Sequence, residues 1–133
     1  MPQITYLAVN SVLFWLIALI AAGIIFIGAR FIVAPFPAAA AFGVPTGATE
    51  RFTYLWAKGT RDIVSGLLLG GLLWLKVSLG VLAAFLYIAS LIPFGDMFNV
   101  YAQMRTKNVA ALVIHGGTAV FMCVLASLLL EAR

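Results

Sequence analysis

The chain has 133 residues, of which 65% are hydrophobic and only 9% charged, with eight basic against four acidic side chains. Soluble domains carry charge on about a quarter of their residues, so this composition excludes a soluble globular domain and points to an integral membrane protein. With spans of about 20 residues each, the length leaves room for four helices, short connections and no separate soluble domain, so residues 1–133 are read as one domain.

The first span is expected over Leu7 to Ile27, an uncharged run closed by Arg30. It lacks the basic flank and small-residue cleavage site of a signal peptide, and is expected to be retained. Next comes Ala34-Pro-Phe-Pro-Ala-Ala-Ala-Ala-Phe-Gly-Val-Pro-Thr-Gly, whose prolines and glycines predict an irregular apolar loop between the first two helices. The second span is expected from Phe52 to Leu75, with Thr49 as a cap.

Lys76 marks a tight connection to a third span, Val77 to Ile92, which Pro93-Phe-Gly-Asp96 is expected to break. A short amphipathic helix over 96–103 would put Asp96, Asn99 and Gln103 on one face. The last span is expected from Asn108 to Leu130. The fold class is thus all-α, an integral membrane four-helix bundle with a Pro/Gly-rich loop between helices one and two. Small-residue patterns such as Gly66-Leu-Leu-Leu-Gly70, with Gly59, Gly71, Gly116 and Gly117, predict close helix contacts.

Four spans put both termini on one side, with Lys76 and Arg133. Arg30, Arg51, Arg105 and Lys107 lie on the other, with Lys58 and Arg61 just inside the second helix. The positive-inside bias predicts a multi-pass protein with loops one and three in the cytosol and both termini on the non-cytosolic side. Trp15, Trp74, Tyr6, Tyr87 and Tyr101 are read mainly as interface anchors. The basic excess forms no run suited to nucleic acid, and the lone Cys123 allows no intramolecular disulfide.

The functional signal is the segment from Tyr54 to Ser65, which concentrates Lys58, Arg61 and Asp62 in an otherwise apolar helix. Charges inside a membrane are costly and are therefore usually paired and turned inward. Asp96 follows the third span on the same side, and His115 is about 10 Å into the last helix from that side. Lys58, Arg61, Asp62, Asp96 and His115 thus share one leaflet and form the candidate catalytic set. Tyr54, Trp56, Ser65, Asn99, Thr118 and Met122 are expected to line a pocket for a lipophilic small molecule or a membrane lipid.

Two carboxylates close together separate their proton affinities, so one can donate while the other accepts, with Arg61 holding them in place. Such a set suits epoxide opening, by hydrolysis or by attack of an internal hydroxyl. No Cys/His cluster, HExxH, phosphate loop or GxSxG occurs, and no metal or cofactor is expected. A noncatalytic subunit or lipid-like ligand carrier, with the charges tying helices together, is the main alternative. A proton-coupled transporter is a third class, and glycine faces allow a homodimer.

The segments Tyr54-Leu-Trp-Ala-Lys-Gly-Thr-Arg-Asp-Ile, Ile92-Pro-Phe-Gly-Asp and Ile114-His-Gly-Gly together resemble a family of small four-helix membrane proteins of bacteria and fungi known only as a domain of unknown function. The topology is also similar to that of DoxX-like proteins. A further resemblance, to small membrane proteins of fungal polyketide pathways of the aurovertin and citreoviridin type, implies epoxide opening, with roles for Asp62, Asp96, Arg61 and His115. The Asp, Arg, Asp set is similar in kind to that of soluble limonene-type epoxide hydrolases, an analogy across unrelated folds.

Overall fold

A computed structural model describes residues 6–46 and 52–132. Several of the helix ends follow from a local signal. Ser11 caps α1 (Val12–Val33), its Oγ accepting from the Phe14 amide at 3.1 Å. The helix runs through Arg30, beyond the expected boundary at Ile27, because a cation in the last turn complements the helix dipole. Thr49, the expected cap of the second span, and the boundary charges Arg51 and Arg133 lie outside the described residues.

The expected loop after the first helix is corrected: Pro35–Phe42 is a helix, α2. Pro35 stands in its first turn, where a missing N–H costs nothing, four alanines follow, and Gly43 ends it at φ +110°. The amides of Gly43 and Val44 reach back to Ala40 and Ala39. A Cβ on Gly43 would lie 2.5 Å from that of Ala111, so both conformation and space require glycine there.

Helix α3 spans Phe52–Trp74, within one residue of expectation. It turns sharply into the next helix with Lys76 at φ +50°, the Val77 amide bonding the Leu72 carbonyl. Ser78 caps α4 (Leu79–Ala89), and α5 covers Leu91–Met104. The third span therefore breaks at Ser90 rather than at Pro93-Phe-Gly-Asp96. Pro93 lies in the first turn of α5, where its lack of an N–H is tolerated, and Asp96 is on a helix rather than beyond one. A short 3-10 turn, Arg105–Asn108, leads to α6 (Val109–Glu131), capped by Asn108.

These helices form two antiparallel layers, α1 against α3 and α4–α5 against α6. In the first layer, Gly28 faces Gly59 and Ala21 faces Gly66. An added Cβ on Gly28 would lie 2.6 Å from the Gly59 carbonyl oxygen, and one on Gly66 would lie 2.7 Å from that of Ala21. Backbone therefore meets backbone at two points, two helical turns apart. Gly70, Gly71 and Gly117, expected at helix contacts, have open space beside them.

In the second layer, Tyr87 pairs with Ser127 and Cys123 donates to Ser90, across the bend. The layers meet in a core of Ile17, Leu69, Leu82, Leu86, Met122, Leu125 and Leu129. A smaller cluster of Phe31, Ala38, Ala39 and Leu55 seats α2 at the opposite end. The described protein is all-helical, and two of its helical stretches, Val12–Val33 and Leu79–Glu131, are long and apolar enough to cross a membrane.

The seam between α1 and α3 yields a direct comparison. Gly28→Ala should lower stability by about 1–3 kcal/mol, because the obstacle is a carbonyl that cannot swing aside. Gly70→Ala should leave it unchanged or raised, as a helical glycine gains propensity on conversion to alanine. Thermal unfolding of both variants in detergent decides this; equal midpoints would refute the close approach.

Candidate functional site

Helix α3 brings Lys58 and Asp62 onto one face by their i, i+4 spacing, and α5 presents Asp96 to them. Lys58 Nζ donates to Asp62 Oδ2 at 2.7 Å and to Asp96 Oδ2 at 3.4 Å. Arg61 donates from Nε and Nη2 to Asp62 Oδ1 at 3.1 and 3.0 Å, and from Nη2 to Asp96 Oδ1 at 3.3 Å. Each cation touches both carboxylates and each carboxylate touches both cations. The result is a closed ring of four groups whose formal charges sum to zero.

The ring is asymmetric in burial. Asp62 is 4% and Lys58 7% exposed, whereas the Arg61 side chain is 44% exposed. The Lys58 ammonium also lies 4.9 Å from the Phe31 ring centroid and 4.7 Å from that of Phe42. Those aromatic faces give its buried charge a second favourable environment. Asp96 is held by the two longest contacts of the ring, so it is the carboxylate most easily released toward another partner.

One side of the ring faces an apolar cleft of about 130 Å³. Lys58, Asp62, Asp96 and His115 all line it, with Ser65, Thr118 and Met122 and a wall that includes Ile24, Ile27, Phe42, Leu69 and Phe85. Its volume is close to that of an engineered cavity of about 150 Å³ that holds benzene, so the cleft accepts a compact apolar group or one end of a longer molecule.

Helix α6 contributes His115, one turn further Thr118, and Met122, as their shared face predicts. His115 Nε2 lies 2.9 Å from the Phe42 carbonyl oxygen, and the two rings are 4.6 Å apart. A carbonyl only accepts, so Nε2 carries the hydrogen, which leaves Nδ1 an acceptor in the neutral ring. Asn108 bonds the Gly43 carbonyl while capping α6. The end of α2 is thereby fixed to the start of α6.

The structure divides the remaining expected pocket residues. Tyr54 and Asn99 are hydrogen-bonded at 3.3 Å, with Gln103 behind Asn99 at 2.8 Å, on the far side of the ring from the apolar cleft. Trp56, expected beside the charged turn, is 46% exposed and, two residues before Lys58, stands on another face of α3. Arg61 touches both carboxylates, as expected, but from outside the cleft. Phe31 and Phe42 were missed. The alanine run between Pro35 and Gly43 is the signal that could have found Phe42, since it marks a helix that delivers its last residue to a fixed place.

Among the described residues, no group of three or more His, Cys, Asp or Glu side chains could hold a metal ion. No curated protein and no solved structure matches the chain. A family model does: its match extends over residues 21–129, from the middle of α1 nearly to the end of α6 and across every residue of the ring and cleft, and the chain belongs to the family described as a domain of unknown function, DUF4267.

Proposed function

We propose that this protein is a multi-pass membrane enzyme that binds a lipophilic small molecule in the apolar cleft and opens an epoxide on it by acid–base chemistry. The observation that carries this reading is the meeting of a buried ring of proton donors and acceptors with a cleft otherwise lined by hydrocarbon. The resemblance to small membrane proteins of fungal polyketide pathways supports the same reaction.

Membrane embedding is supported by the outer surface. Only 17% of the most apolar stretch of α1 is buried, and Trp15, Leu19 and Phe26 face outward. Leu67 and Leu68 on α3, Val81 and Ile88 on α4, and Val113 and Val120 on α6 do likewise. Such a surface favours hydrocarbon around it, which supports the membrane reading. The ends of the bundle carry exposed Arg30, Lys76, Arg105, Lys107 and Glu131. In our reading, Arg30, Arg105 and Lys107 face the cytosol and both termini the other side.

The chemistry balances within the ring. Asp96 takes a proton from water, or from a hydroxyl of the substrate, as the oxygen of that water or hydroxyl bonds to an epoxide carbon and the ring carbon–oxygen bond breaks. The Lys58 ammonium gives a proton to the departing ring oxygen, and the contact between Lys58 and Asp96 returns the proton for the next cycle. Asp62 and Arg61 hold these two partners, and His115 fixes Phe42 against the substrate.

A second reading draws on the saturation of the ring: all four carboxylate oxygens already accept from cations. On it, the ring ties α3 to α5 in a carrier of lipid-like ligands, without chemistry.

Mass spectrometry of purified protein incubated with a panel of lipophilic epoxides separates the two. Enzymatic opening should yield a diol, or an isomer where an internal hydroxyl attacks, and Asp96→Asn should slow it by about 10²–10⁴-fold. A folded parent that converts none of the panel refutes the catalytic reading. Stability gives an independent measure. Asp62→Asn should destabilise the fold by about 3–5 kcal/mol, because Lys58 stays buried with one carboxylate fewer. The pair Lys58→Met with Asp62→Leu, which removes one charge of each sign, should recover most of that loss in a thermal melt while still abolishing turnover.

A further inference from the structure

The ring has a second side. Tyr54, Arg61, Gly95, Asp96 and Asn99 border an open vestibule of about 470 Å³ between α3 and α5. Ile92 and Asp96 line both this vestibule and the apolar cleft, so the wall between the two is one residue thick at Asp96. A narrower chamber of about 40 Å³ connects Tyr54 and Asn99 with Lys58 and Phe42. It is large enough for water and carries several polar partners for it.

We propose that this vestibule is filled with water and is the route by which water reaches Asp96, while the lipophilic substrate occupies the cleft on the opposite side. The guanidinium of Arg61 carries the argument. It is 44% exposed on the vestibule side, and its bonds to the carboxylates use Nε and Nη2, leaving Nη1 with no protein partner among the described residues. A half-exposed guanidinium with free N–H groups demands a polar solvent, as hydrocarbon would leave those donors unsatisfied. Tyr54, Asn99 and Gln103 continue the polar lining along α3 and α5.

The two approaches to the ring are thus chemically sorted. The cleft admits carbon, and the vestibule admits water. What the water does at Asp96 rests on the catalytic reading above; how it arrives rests only on the membrane embedding proposed there. Gly95 stands on the vestibule wall with no atom within 4 Å of an added Cβ, so a side chain can start there in open space and extend into the passage.

The test is cysteine accessibility in a Cys123→Ala background, read with a small, charged, membrane-impermeant thiol reagent on the protein in lipid bilayers open to reagent on both faces. Ile92→Cys, which leaves the ring intact, should be modified. Ile88→Cys, on the outward apolar face, should not. Adding Gly95→Trp should slow modification of Ile92→Cys by at least about tenfold, since thiol reactivity follows access. If Ile92→Cys reacts no faster than Ile88→Cys in folded protein, the vestibule is dry and the proposal fails. If Gly95→Trp leaves the rate unchanged, water arrives by another path and the proposal also fails.

A second arm uses turnover in heavy-oxygen water. Gly95→Trp should slow formation of the labelled diol but spare conversion of a hydroxy-epoxide to its cyclic isomer, which needs no water. Equal loss of both would overturn the sorting of routes. A parent that opens no epoxide while Ile92→Cys labels and Gly95→Trp protects it would sink the catalytic reading and leave the water route standing.

Discussion

The placement of Lys58 is the constraint on which the rest of the structure depends. Its ammonium lies almost wholly out of solvent in a bundle of apolar helices, where a lone charge is tolerated only with close compensation. Asp62 supplies part of it from the same helix at no cost in topology. The remainder has to come from elsewhere in the chain, and it sets where two other elements lie. Helix α5 must approach closely enough to offer Asp96, which the bend at Ser90 permits. Helix α2 must fold back to offer the face of Phe42. The cleft is what remains between helices arranged around that one cation.

Arg61 has a different part in the same balance. Two carboxylates around Lys58 alone would leave a net negative charge, and Arg61 removes it while reaching from a more exposed position. The ring therefore joins an interior to an exterior. Lys58 and Asp62 belong to the core, Arg61 to the surface, and Asp96 to both. That gradation explains why one ring can border an apolar cleft and a polar groove at once.

Much of this arrangement was legible in the sequence, for reasons that differ by element. The i, i+4 spacing of Lys58 and Asp62 and the shared face of His115, Thr118 and Met122 are properties of a helix repeat, so they survive any detail of packing. The order of the spans bears on Asp96 and the rise per residue on His115, and both line one cleft with Lys58. Trp56 rests on a weaker signal, because nearness in sequence to a charged turn says nothing of rotation about the axis. The stretch from Pro35 to Gly43 was misread because its prolines and glycine were counted as breakers rather than located. One proline begins the helix and the glycine ends it, while Pro37 still falls in the first turn. The bend at Ser90 likewise came three residues before the proline expected to cause it, since a proline disturbs the turn that precedes it. The partners of the glycines could not be read from spacing alone: Gly59 and Gly66 meet a neighbour, and Gly70 and Gly71 do not.

The two-point contact of Gly28 with Gly59 and Ala21 with Gly66 has a consequence for how this sequence can change over time. Lys58 is the immediate neighbour of Gly59, so the seam that brings two backbones together also sets the depth of the ring. Substitutions on the outward faces, at Trp15, Leu19 or Leu67, exchange one apolar group for another where no neighbouring helix is packed and leave that position untouched. Volume added at residues 21, 28, 59 or 66 shifts the axis that carries the buried cation. Change on the outward hydrophobic surface is therefore cheap in this fold, whereas four small residues that do not touch the cleft carry a constraint set by a charge that only one of them adjoins.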